Sequence, residues 1–124
     1  MSYRSLAYAF LLLAACHDGK SPELRVLGVQ DAPRHEVVFV EVTNPASHVM
    51  RLTKLEYKFA AEGVTLSEGA VELAREVPGG SAAVVEVPLD SESRTPMTLS
   101  GRLTAELDQM VRTFTVSAQV QPHP

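Results

Sequence analysis

The chain has 124 residues, 11 basic and 15 acidic side chains and a net charge of −4, with 45% hydrophobic and 21% charged residues. That length suits one domain, those fractions argue against wholesale disorder, and an acidic chain without a Lys/Arg block carries no electrostatic footprint for nucleic acid. Its single cysteine excludes an intrachain disulfide framework and a cysteine-rich zinc site.

The opening MSYRSLAYAFLLLAAC places one positive charge, Arg4, ahead of an uncharged run from Leu6 to Ala15. As a helix that run rises only about 15 Å against a hydrocarbon core of roughly 30 Å, so it is too short to span a bilayer. A basic start, a short apolar core and small residues are the pattern of a secretory signal, expected here as a cleaved helix over residues 1–15. The end of the run, Leu13-Ala14-Ala15-Cys16, resembles the lipobox of bacterial lipoproteins, in which the cysteine is lipidated and becomes the first residue of the mature chain. The resemblance implies that Cys16 carries acyl chains, such as palmitate, and anchors the protein to a cell-envelope membrane on its extracytoplasmic side. Several chains anchor stably where one is marginal, since each buried methylene contributes about 0.8 kcal/mol. Residues 16–22 then form a lipidated polar tether, and residues 23–121 the folded domain. His17 and Asp18 within the tether are too few to form a metal site.

Beyond Pro22 the chain is rich in Val and Thr, with no sustained 3.6-residue apolar period. A first strand is expected over Leu24 to Gln30. The next, His35 to Thr43, sets Glu36, Val38, Val40 and Val42 on one face and ends at Asn44-Pro45. Met50 to Ala61 alternates Thr53, Leu55, Tyr57 and Phe59 against Lys54, Glu56 and Lys58, the pattern of a half-buried antiparallel strand. Gly63 and Gly69 bracket a short piece, Val64 to Ser67, and Ala70 to Ala74 follows as another. After the turn Pro78-Gly79-Gly80-Ser81, residues Ala83, Val85, Val87 and Leu89 share a face. A polar loop, Asp90 to Pro96, precedes a strand with Met97, Leu99, Gly101, Leu103, Ala105 and Leu107 inward. Asp108-Gln109 turns the chain into a last strand carrying Phe114, Val116, Ala118 and Val120 on one face. Seven or eight short strands at about ten-residue spacing argue for an all-β antiparallel sandwich, with a closed barrel as the main alternative.

No nucleophile elbow, phosphate loop or acid–base pair is legible, which points to a protein that is not an enzyme and takes no cofactor, metal or small-molecule substrate. The histidines at 17, 35, 48 and 123 fall in the tether, at a strand start, in a loop and in the tail, the positions of surface histidines. Tyr57, Phe59 and Phe114 fall on core faces. Val37 and Phe39 differ: they lie opposite the valine face of their strand, an apolar pair suited to an interaction patch.

From Val38 onward the residues resemble the water-stress-and-hypersensitive-response domain of group 2 late embryogenesis abundant proteins. The resemblance rests on VFVEVTNP (38–45), LTKLEYKF (52–59), GVTLSEG (63–69) and VPGGSAAVVEVPL (77–89). Within these, Asn44, Pro45, Leu55, Tyr57, Gly63 and Gly69 carry the motif as structural residues. The family implies a folded antiparallel β-sandwich of the immunoglobulin or fibronectin type III kind, with no known catalytic residues and a protective role in desiccation or other stress. A lipoprotein with such a domain is expected to protect the cell envelope, or alternatively to serve as an interaction or scaffold subunit of an envelope complex.

Overall fold

The computed structural model describes residues 21–31, 36–90 and 95–121. They form seven strands: β1 (Glu23–Asp31), β2 (Glu36–Thr43), β3 (Met50–Ala61), β4 (Val64–Val77), β5 (Ala82–Leu89), β6 (Met97–Leu107) and β7 (Met110–Val120). The expected signal helix, Cys16, most of the tether, His35, the middle of the 90–96 loop and the tail from residue 122 lie outside the described residues.

Every pairing is antiparallel, in a three-stranded sheet β1-β2-β5 and a four-stranded sheet β4-β3-β6-β7. In an immunoglobulin constant domain the fourth strand joins the sheet of the first two. Here β4 pairs with β3 instead, the distribution of a fibronectin-type sandwich. The core lies between the sheets, with Val38, Val40, Val42, Val85, Val87 and Leu89 meeting Leu52, Leu55, Phe59, Leu99 and Leu103. Glu36 begins the valine face and is buried with it. Along the sides of the sandwich β1 lies against β7, and β4 against β5.

Three features depart from simple alternation. On β3, Thr53 is exposed and is not on the core face with Leu55, Tyr57 and Phe59. It is the extra residue of a bulge, lying between the pairs Leu52↔Ala105 and Lys54↔Thr104. The bulge shifts parity, so Leu52 and Leu55 are both buried although three residues apart. On β1, Leu27 is bulged out between Val26↔Val40 and Gly28↔Phe39, which lets Val26 and Val29 both face inward. The expected pieces Val64 to Ser67 and Ala70 to Ala74 are one continuous strand, so the structure has seven strands and Gly69 does not end one. Gly69 pairs with Tyr57, and a Cβ there would lie 2.8 Å from the Tyr57 hydroxyl. It is a glycine because the tyrosine ring occupies the side-chain position.

The sandwich has two ends. At the near end lie the starts of β1, β3, β5 and β7 and the finishes of β2, β4 and β6, as the pairs Glu23↔Thr43, Thr43↔Ala82, Met50↔Val77, Met50↔Leu107 and Leu107↔Met110 require. At the far end, Glu62-Gly63 joins β3 to β4 with both residues at positive φ (51° and 81°), the conformation of a two-residue hairpin turn. The near-end turn Asp108-Gln109 has the same form (54° and 64°) without a glycine.

Candidate functional site

Asn44 ends the valine-rich strand and is fully buried. It keeps a negative φ and caps the turn with its side chain. Nδ2 donates to the carbonyl oxygens of His48 (2.8 Å) and Val77 (2.9 Å), and Oδ1 accepts from the Ala46 amide (3.0 Å). Its backbone amide donates to the Ser81 carbonyl (2.8 Å), and its carbonyl accepts from the Gly80 amide (2.9 Å). The side chain therefore joins the β2–β3 loop to the end of β4, and the backbone of the same residue holds the β4–β5 turn, so that Asn44 ties the two sheets together. Gly79 sits in the same contact, where a Cβ would come within 2.5 Å of the Ser47 backbone. Pro45 beside it is exposed and stops the strand by lacking an amide hydrogen. A matching tie closes the far end, where the Asp90 amide donates to the buried Ser67 hydroxyl (3.2 Å).

Against the near-end clamp lies a groove lined by His48, Val49, Arg51, Glu76, Glu106 and Asp108. His48 Nδ1 is 2.8 Å from Asp108 Oδ1, and both side chains are largely exposed. Arg51 pairs in register with Glu76 on one side and Glu106 on the other. A His–Asp contact this open to water contributes at most about 1 kcal/mol. Among the described residues, no three His, Cys, Asp or Glu side chains are grouped to hold a metal ion.

Tyr57 lies mid-strand between Gly69 of β4 and Gly101 of β6. At Gly101 any Cβ would collide with the Glu56 carbonyl, so the two strands close on each other there. The Tyr57 ring meets Phe59 edge-on, with centroids 5.7 Å apart and planes at 64°. Burial first, and the Asp90 carboxylate second, raise the Tyr57 phenol above its usual 10.0. The two glycines leave a shallow open depression bordered by Tyr57, Lys58, Arg102 and Thr115. Leu55, two residues before Tyr57 on the same strand, is buried in the core.

Val37 and Phe39 are half-buried on the outer face of the three-stranded sheet. Phe39 lies between Gly28 and Glu86, and Val37 between Gln30 and Pro88. Leu27 and Val84, both exposed, extend that apolar face. The sequence-derived residues thus separate into the Asn44-Pro45 clamp, the Tyr57–Gly69 contact, the Gly63 hairpin and the Val37/Phe39 face; the structure does not draw them into one site. Sequence reasoning missed the partners of Asn44 and His48, which lie 33 and 60 residues away, at Val77 and Asp108.

No protein-family model matches the chain, and no curated protein matches it in sequence. Its fold is shared with solved structures. A protein assigned to the late embryogenesis abundant (LEA) group, At2g46140.1, superposes with a TM-score of 0.56 at 16% identity, over 97% of this chain and 83% of that one. The Arabidopsis thaliana protein AT1g01470, solved in solution, gives 0.56 at 16% identity over 82% and 79%. A structural-genomics target, SoR45, gives 0.50 at 13% identity over 82% and 83%.

Proposed function

We propose that this chain is a membrane-anchored, non-enzymatic protective protein of the cell envelope, acting in desiccation or related water stress. The observation that carries this is the fold, shared along nearly its whole length with a protein of the LEA group. The lipobox-like Leu13-Ala14-Ala15-Cys16 supports the anchor. The geometry fits a protein that acts through its surface, because the motif residues hold the sandwich together and none of them assembles a reacting group. A strain lacking the protein is expected to lose survival on drying, with recovery restored by the native chain and not by Cys16→Ala. Unchanged survival overturns the protective role. Entry of Cys16→Ala into the detergent phase, as fully as the native protein in phase partitioning, overturns the anchor.

A second reading, a subunit that docks an envelope protein, rests on the apolar outer face formed by Val37, Phe39, Leu27 and Val84. One stoichiometric partner captured from envelope membranes by the native chain, and lost with Phe39→Glu, would favour it over a general protectant.

A further inference from the structure

We infer that the near end of the sandwich is a bilayer-docking surface, with Val49, Met110 and Val111 seated at the lipid interface. The inference rests on Cys16 being the lipid anchor and goes beyond it, since an anchor alone leaves the domain free to face any direction.

Six large apolar side chains are exposed among the described residues, and three of them gather at this end: Val49 (53%), Met110 (57%) and Val111 (67%). They are neighbours through the strand ends, because Leu107 of β6 pairs with both Met50, next to Val49, and Met110. Val111 stands opposite Glu106 at the edge of the same end. Met110 and Val111 lie on opposite faces of β7, so what the three share is the end of the sandwich, and exposed apolar side chains brought to one end of a small domain suit an apolar partner.

Where the chain enters selects that partner. β1 begins at Glu23, paired with Thr43, so the tether meets the domain at the end that carries the three apolar residues. Five residue steps separate Cys16 from Ser21, a reach of roughly 18 Å even when fully extended. An eleven-residue strand such as β6 is about 36 Å long. The acylated residue therefore keeps the near end within a short distance of the bilayer, and the domain cannot stand inverted on its far end, where Val64 lies. The charges point to apolar seating, not to anionic-lipid capture: Arg51 is flanked by Glu76 and Glu106, and Asp108 faces His48. The expected contact is a shallow one, with these polar groups at headgroup depth and the valines and methionine below them.

The test uses the processed, full mature lipoprotein in vesicles of phosphatidylethanolamine and phosphatidylglycerol. Once Cys16 is acylated the chain has no other thiol, so Met110→Cys, Val111→Cys and, at the far end, Val64→Cys can each be labelled singly with a fluorophore. Nitroxide-bearing lipids are expected to quench the labels at 110 and 111 several-fold more than the label at 64. In a Val49→Cys background, Val111→Glu should abolish the quenching at 49 with the melting curve unchanged, since Val111 is outside the core. Intact acylation with equal quenching at both ends overturns the docking inference alone. So does a label at 110 that is shielded from water but not quenched by lipid, which would indicate a second copy over the tip. An unmodified Cys16 in the mass spectrum overturns the anchor and the inference with it.

Discussion

Replacing Asn44 by alanine removes a polar side chain that ties the two sheets together at the near end. Three hydrogen bonds are lost. The Val77 carbonyl, on a residue with no exposure, loses its 2.9 Å donor in a dry site, and an orphaned buried acceptor costs about 1 to 3 kcal/mol. The half-buried Ala46 amide loses its acceptor, at about 1 kcal/mol. The His48 carbonyl sits on an exposed residue, where water replaces the lost bond at little cost. The expected loss is about 2 to 4 kcal/mol of the roughly 5 to 15 kcal/mol that hold a domain of this size. In a thermal melt of the protein this is a fall in Tm on the order of 10 to 20 °C, with the urea m-value unchanged. Pro45→Ala, at the adjacent exposed position, is expected to cost under about 1 kcal/mol, largely through the unfolded chain. A loss below about 1 kcal/mol for Asn44→Ala, or equal losses at the two positions, would refute the clamp.

Tyr57→Ala is expected to cost about 3 to 5 kcal/mol, and Lys58→Ala, outward on the same strand, no more than about 0.5 kcal/mol; denaturant melts of both variants check the β3 alternation. The raised Tyr57 phenol makes a pH prediction. Its folded-state pKa lies above the unfolded value near 10.0, so the stability it protects is intact below pH 10 and is lost as pH climbs through the folded value. Native and Tyr57→Phe melts should therefore run parallel up to pH 10, the native protein alone losing further stability above it, and identical alkaline profiles would refute the assignment. Gln109→Gly relieves a non-glycine residue at φ 64° in a two-residue hairpin and should raise stability by about 0.5 to 1 kcal/mol in the same assay.

Strand identity was largely legible because β2, β5, β6 and β7 alternate without interruption, and Val38, Val40 and Val42 mark their buried face in the residues themselves. Parity within β3 was not. The bulge at Thr53 exists only because β6 supplies no residue opposite it, so its effect on Leu52 and Leu55 depends on a strand about fifty residues away. Gly69 was misread for a related reason, since a glycine beside a polar Ser-Glu pair looks like a turn until the Tyr57 ring is placed over it. For Asn44 the type of role could be read locally, from its place before Pro45, but its partner at Val77 could not. The grouping of Val49, Met110 and Val111 was equally hidden, because it is produced by two separate chain reversals.

The placement of the chain's terminal strands has a mechanical consequence. β1 starts at the near end, where Glu23 pairs with Thr43, and β7 finishes at the far end, where Val120 pairs with Met97. Both strands run in the same direction, and they lie against each other along one side of the sandwich. Tension between the start of β1 and the finish of β7 is therefore directed along the strands, perpendicular to the ladder hydrogen bonds that hold β1 to β2 and β7 to β6. Such a load shears a whole ladder at once, so its bonds resist together; opening one pair at a time would require a pull across the sheet. A domain held to a membrane at one end and strained from the other would meet that tension in its stiffest direction.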